Sequence, residues 1–265
     1  MTFKNNPLVS VIITTKNSER TLDLCLKSLK DQTYKNFEII VVDNNSTDKT
    51  IEIAYNYTNK VYNKGPERSA QRNYGAEKAK GEYVLIHDSD IYFNIDSIKE
   101  CIEIINNTNV KAIILPEISV GKGYWTKVKA FERSFYVGND LIEASRFFNK
   151  QTFQDIGGYD KNLTACEDWD LQNRLNEKEI KTGRAKLFLK HDEGKLNLFG
   201  SSKKKSYYSK WINIYKNKYP KISKKQFSFF ERFSPKKIIQ KGFSHPILLI
   251  SMIIMKGMEL RSVRR

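Results

Sequence analysis

Two aspartates separated by one residue, Asp88 and Asp90, close the run Glu82-Tyr83-Val84-Leu85-Ile86-His87-Asp88-Ser89-Asp90. Its apolar, β-favouring residues suit a buried strand and are too few for a helix. The carboxyl ends of strands in an open α/β sheet form a ligand crevice. Two carboxylates there offer hard oxygens to a divalent cation, and a cation so held can grip a diphosphate. The same pair would serve as a turn and helix cap. A second acidic pair, Glu167-Asp168, precedes Trp169-Asp170-Leu171 and reads as the first turn of a helix running to about Lys178. The dipole at a helix N-terminus favours ionised carboxylates and so suits a general base, although plain capping has the same look.

Four further residues carry chemistry. Asp43 ends the apolar run Phe37-Glu38-Ile39-Ile40-Val41-Val42 and opens the polar turn Asn44-Asn45-Ser46-Thr47-Asp48. A carboxylate at that strand end can accept hydrogen bonds from a nucleotide's base or ribose, or simply turn the chain. Arg68 and Arg72 are four apart on a predicted helix spanning 66–76 and share a face, as diphosphate binding or a solvated, salt-bridged surface would each require. His191 follows the strand-like Lys186-Leu187-Phe188-Leu189-Lys190, where an imidazole can complete a cation's shell or lie on the surface.

Positioning these groups requires a scaffold. Leu8 to Thr14 reads as a first buried strand, followed by a helix capped by Ser18 with Leu22, Leu26 and Leu29 on one face. The strand ending at Val42 comes next, then the 66–76 helix, the strand ending at Asp88, a helix over 95–105 and a strand over 111–116. Strand and helix in alternation with short links predict an α/β fold with a doubly wound, mostly parallel sheet. Gly121-Lys122-Gly123 reads as a flexible loop beside Trp125, a core residue beneath it or else a lid or sugar platform, and Gly157-Gly158 as a turn needing backbone freedom. No Gly-x-Gly-x-x-Gly follows the first strand and no Gly-Lys-Ser/Thr loop occurs, which argues against a nicotinamide or flavin fold and a phosphate-loop nucleotidase.

In their order these stretches resemble the family-2 inverting nucleotide-sugar glycosyltransferases of glycosyltransferase-A fold. The stretches are Val11-Ile12-Ile13-Thr14-Thr15-Lys16-Asn17, Val41-Val42-Asp43-Asn44-Asn45-Ser46-Thr47-Asp48, Gln71-Arg72-Asn73-Tyr74-Gly75, Asp88-Ser89-Asp90, Gly157-Gly158-Tyr159-Asp160 and Glu167-Asp168-Trp169-Asp170-Leu171. The resemblance covers about residues 7–195. It implies that Thr14, Thr15 and Asn17 lie against a nucleoside, that Asp43 bonds the base, and that Arg72 binds near the nucleotide. It further implies that Asp88 contacts the ribose or the cation and that Asp90 and His191 ligate Mg2+ or Mn2+. Glu167 and Asp168 would be the acidic pair, with Asp168 the base. Where the family commonly has Pro-Thr-Tyr-Asn this chain has Thr14-Thr15-Lys16-Asn17, so the donor stays open between UDP and GDP sugars.

Charge divides the chain. The net +16 over 265 residues is concentrated from Phe199 onward, where 17 Lys or Arg face only Glu231 and Glu259, leaving +1 for the rest. This predicts a catalytic domain over 1–198 and a basic, partly amphipathic helical extension over 199–265. In the extension lysines alternate with aromatics, from Lys203-Lys204-Lys205-Ser206-Tyr207-Tyr208 to Arg232-Phe233, a pattern that suits nucleic acid or an anionic leaflet. The apolar run Pro246-Ile247-Leu248-Leu249-Ile250-Ser251-Met252-Ile253-Ile254-Met255 favours a membrane over nucleic acid, and it falls short of the roughly 20 residues a span needs. A helix packed on the catalytic domain or on a second copy would also account for it. The reading is an enzyme peripherally attached to the cytoplasmic membrane with a lipid-linked acceptor, a polyprenyl phosphate or a polyprenyl-diphosphate sugar. Cys25, Cys101 and Cys166 are too scattered for a disulfide framework, and no signal segment follows Met1, so a cytoplasmic setting is expected. The rival readings are a non-enzymatic binding module and a nucleotidyltransferase.

Overall fold

The computed structural model describes residues 6–263. Residues 1–5, read above for a missing signal segment, lie outside the described residues, as do the side chains of 199–206, where the Lys203-Lys204-Lys205 run falls. In chain order the elements are β1 (Val9–Thr15), α1 (Leu22–Lys30), β2 (Phe37–Asp43), α2 (Thr50–Tyr55), β3 (Val61–Asn63), α3 (Arg68–Lys78), β4 (Tyr83–Asp88), β5 (Ile91–Tyr92) and α4 (Ser97–Asn107). They continue with β6 (Ala112–Ile114), β7 (Glu117–Lys122), α5 (Tyr124–Arg133), β8 (Ser145–Asn149), α6 (Lys150–Asp155), α7 (Glu167–Glu177), β9 (Thr182–Arg184) and β10 (Leu189–Lys195). The C-terminal stretch is helical: α8 (Leu198–Lys218), α9 (Pro220–Gln226), α10 (Phe229–Arg232), α11 (Pro235–Ser244) and α12 (Pro246–Val263).

The chain forms two compact units. The first holds residues up to Pro116 together with Ala144–Lys190, and the second holds Glu117–Glu143 together with His191–Arg265. The change of charge at residue 198 is a division of composition; the compact units part at 190/191 and assign 117–143 to the C-terminal one.

In the first unit seven strands run in the order β3-β2-β1-β4-β8-β6-β9. β1 pairs in parallel with β2 and β4, β2 in parallel with β3, and β6 in parallel with β9, while β8 lies antiparallel between β4 and β6. The two-residue period of a strand sorts the core. Val9, Val11, Ile13, Ile39, Val41 and Leu85 meet Leu22, Leu26, Leu29, Ala54, Ile98 and Ile102, so α1, α2 and α4 cover one face. Ile12, Ile40, Val42, Val84 and Ile86 meet Ala76, Phe153, Leu171 and Leu175, so α3, α6 and α7 cover the other. β8 escaped the sequence reading.

The second unit is built around α5 and the C-terminal helices. Val128, Phe131, Phe135, Phe233, Met252 and Met255 form its core, with Trp125 partly buried against it. The loop expected at Gly121–Gly123 is the end of β7 and the turn into α5, with Gly121 and Gly123 at positive φ. β10 runs on past Lys190, which puts His191 inside a strand rather than at its end, and it neighbours β7 in a small sheet.

Candidate active site

The register of the central strands places the predicted residues in two groups. Thr14 stands beside Val42 on β2 and Asp88 on β4, and Thr15 stands beside Asp43. Because successive side chains alternate, Thr14 and Asp88 follow Ile12 and Ile86 onto the α3/α7 face, whereas Thr15 and Asp43 follow Ile13 and Val41 onto the opposite one. The hydroxyls obey this sorting. Thr14 Oγ1 donates to Asp88 Oδ1 at 2.9 Å, and Thr15 Oγ1 donates to Asp43 Oδ1 at 2.8 Å.

On the Asp43 side the carboxylate organises its own turn. It also accepts from Ser46 N at 2.7 Å and Ser46 Oγ at 2.5 Å, and it is 1% exposed. Asn17, at φ 49°, receives Thr47 N on its side-chain oxygen at 2.9 Å and donates its own amide to Ser46 Oγ at 2.8 Å. The loops after β1 and β2 are thereby tied to each other. Gln71 of α3, part of the Gln71-Arg72-Asn73 stretch, donates through Nε2 to Thr15 O at 2.9 Å and Val42 O at 2.7 Å, fixing the helix against both strand ends.

On the Asp88 side the central figure is Arg72. Its side chain is fully buried, with Nη2 donating to Asp88 Oδ1 at 2.8 Å and Nη1 to Glu167 Oε1 at 2.9 Å. Its guanidinium carbon sits 5.0 Å from the centre of the Tyr159 ring. Arg68, one turn earlier and partly exposed, lies 3.8 Å from Glu167 Oε1. Carboxylates from the end of β4 and the start of α7 thus meet on the two arms of one guanidinium. Burial alone would raise the Asp88 pKa, but Arg72, with Arg68 and Arg146, outweighs it and holds the carboxyl well below the usual range. Glu167 moves the other way, because burial and then the neighbouring Asp168 push its carboxyl up against the pull of the same three arginines.

Asp168 differs from its neighbour. Its side chain is 27% exposed against 4% for Glu167, and Oδ2 accepts from Arg146 Nη2 at 3.3 Å. Arg146 comes from β8, the strand that the sequence did not announce. The turn before α7 is clasped by Asn73, whose Nδ2 donates to Tyr159 O and whose Oδ1 accepts from Tyr159 N, each at 2.8 Å.

Asp88 and Asp90 are hard oxygen donors at the crevice end of β4. A carboxylate pair of this kind fits Mg2+ or Mn2+, which complete their shells with water and phosphate oxygens. Among the described residues no group of three or more His, Cys, Asp or Glu side chains is gathered around one point. His191 belongs to the second unit, where its Nδ1 lies 3.1 Å from Glu117 Oε2 and 3.0 Å from Arg133 Nη1.

The sequence matches the model of the family described as Glycosyl transferase family 2 over residues 10–160, more than half of the chain. It belongs to that family. An uncharacterised glycosyltransferase of Rickettsia typhi is 32% identical over 185 residues, which cover 63% of this chain and 58% of that protein. The chain spans about half the length of the curated relatives it matches. Among solved structures, the mannosyltransferase PcManGT from Pyrobaculum calidifontis in complex with GDP-Man and Mn2+ aligns with TM-score 0.64 at 15% identity, covering 96% of this chain and 74% of that one. S. aureus TarS 1-349 in complex with UDP-GlcNAc aligns with TM-score 0.55 at 21% identity, covering 96% and 81%. At such identities the likeness is one of fold, and it matches the family-2 chain's α/β sheet and C-terminal helices.

Proposed function

We propose that this family-2 chain is an inverting, cation-dependent hexosyltransferase. It moves a sugar from a nucleoside diphosphate to an acceptor hydroxyl or phosphate that is lipid-linked, a polyprenyl phosphate or a polyprenyl-diphosphate glycan, at the cytoplasmic membrane face. The observation that carries the reading is the double grip of Arg72 on Asp88 and Glu167. It supports one crevice in which the strand-end carboxylates meet the acidic pair of α7. The UDP-GlcNAc and GDP-Man complexes of the two solved neighbours support a nucleotide-sugar donor, and the Mn2+ of one supports a cation.

Exposure divides the roles. Glu167 is sealed beneath Arg72 and Arg68 and holds that link, whereas Asp168 remains reachable, steadied on one oxygen by Arg146. Asp168 is therefore the base: it takes the proton of the acceptor hydroxyl, whose oxygen bonds to the anomeric carbon from the face opposite the departing diphosphate. Thr14 and Arg72 fix the Asp88 carboxylate beside that diphosphate, while Thr15, Asn17 and Asp43 shape the nucleoside end. Asp88 and Asp90 would hold the cation, which when bound neutralises the charge that develops on the leaving group; His191, expected as a further ligand, stands instead with Glu117 and Arg133 in the second unit.

The test is Asp168→Asn. Turnover should fall by at least ~10², the contribution typical of a positioned base, with donor binding unchanged. A purified variant that keeps most of its turnover would overturn the role. Thermal stabilisation by a panel of UDP and GDP sugars with Mn2+ identifies the donor.

A further inference from the structure

The last two helices of the second unit carry their polarity inside out. On α12, Ser251, Met252, Met255 and Glu259 are buried, and Met252 and Met255 join the core of α5. Lys256 is the only charged residue between Pro246 and Met258, and it turns inward to pair with the buried Glu132 of α5 and, at 3.0 Å, with Glu259. The outward positions are apolar: Ile247, Ile250, Ile253 and Ile254 are exposed by 70%, 60%, 54% and 51%. Spacings of three and four put them on one side of the helix. On α11, Ile239 and Phe243, again four apart, are exposed by 60% and 87%. A helix that faced water would place its ions outward and its isoleucines inward. Six large apolar side chains exposed on two consecutive helices mark an interaction site.

What covers it must be both apolar and negatively charged. The chain from Phe199 to Arg265 carries a net +15, and Lys221, Lys224, Lys225 and Lys236 are exposed on α9 and α11. A second copy offers the wrong charge, because an isologous contact would bring two such tails together. An anionic lipid leaflet offers both properties. No helix among the described residues is long and apolar enough to cross a membrane, so α11 and α12 would lie in the plane of one leaflet, with isoleucine and phenylalanine in the acyl boundary and lysines among the headgroups. We propose that the outer face of α11 and α12 is an interfacial docking surface for an anionic bilayer. This deepens the lipid-linked acceptor reading, but its test requires neither donor nor acceptor, so either can fail without the other.

The experiment floats the full chain with vesicles of mixed phosphatidylcholine and phosphatidylglycerol. The wild-type chain should float with them, and Ile250→Glu with Ile254→Glu should weaken partitioning by at least about tenfold, as loss of two buried isoleucines implies. Both sites are exposed, so the thermal midpoint should not move. If the charged variant unfolds early, Ile250→Ala with Ile254→Ala gives the same direction with a smaller loss. Flotation of variant and wild type alike would mean that charge alone binds, and would overturn the proposal. So would failure of the wild-type chain to float, including the case in which it self-associates in solution and the same substitutions separate the copies.

Discussion

The two compact units each bury a charged side chain between two of opposite sign, and they do so with the signs exchanged. In the first, the fully buried cation Arg72 bridges the acids Asp88 and Glu167. In the second, the fully buried acid Glu132 lies between Lys129, at 2.8 Å, and Lys256. Burial would disfavour the Glu132 charge, but both lysines hold its carboxyl well below the usual range, and Glu132 in turn raises Lys129 against burial. The surroundings differ more than the pairs do. Arg72 ties together acids that stay at a crevice, with Asp88 33% exposed, so the buried charge supports a polar surface. Glu132 draws the only charge of the apolar stretch of α12 inward, so the buried charge leaves an apolar surface behind. A buried ion network is weak evidence of added stability, but it fixes which face of an element points outward.

Arg72→Met tests the first half most severely. It leaves Asp88 and Glu167 facing each other without their shared cation, and breaking a buried pair costs about 3–5 kcal/mol. The thermal midpoint should fall by roughly 10 °C for a unit of this size, and turnover should be lost with it. Arg72→Lys keeps the charge but lacks the planar fork, so it should recover part of the stability and little activity. Adding Glu167→Gln to Arg72→Met should restore stability, because one buried acid is removed with its partner; the coupling measures the link directly. An unchanged midpoint for Arg72→Met would break the comparison.

Glu132→Gln should cost less, toward the lower end of the same range of about 3–5 kcal/mol, because Lys256 keeps Glu259 and the Glu259 charge also acts on Lys129. The sign with pH follows from the depressed carboxyl. Glu132 contributes fully above the unfolded value of about 4.3, and that contribution is lost as pH falls through it toward the lower folded value. Denaturant melts of wild type and variant should therefore differ most near neutrality and converge in acid. A constant difference across pH would remove Glu132 from the account.

The sheet itself was readable because its central strands are continuous apolar runs that end in polar residues, as strands buried on both faces must be. β8 was not readable: Ser145-Arg146-Phe147-Phe148-Asn149 is short and carries a charge, and only its place between β4 and β6 makes it a strand. The burial of Arg72 was hidden for a different reason. Four-residue spacing with Arg68 looks like a solvated face, and what buries Arg72 is an acid 16 residues away and another 95 residues away. Lys256 likewise reads as the polar boundary of an apolar run until Glu132 is seen to turn it inward.

The smallest expected effect sharpens the first unit's half of the comparison. Gly157 and Gly158 both have positive φ, 84° and 61°, but their surroundings differ. A Cβ at Gly157 would meet nothing within 4 Å, whereas one at Gly158 would come within 2.7 Å of Asn73 Oδ1, the atom that accepts the Tyr159 amide. Alanine at either site pays the left-handed cost of about 1–2 kcal/mol. At Gly158 it must also displace the Asn73 clasp and with it the Tyr159 ring that lies against Arg72. Gly158→Ala should therefore lower the midpoint by several degrees and turnover severalfold, and Gly157→Ala should lower the midpoint by less and leave turnover nearly intact. Equal losses at the two glycines would mean that the clasp does not transmit to Arg72, and that the guanidinium is held by its two carboxylates alone.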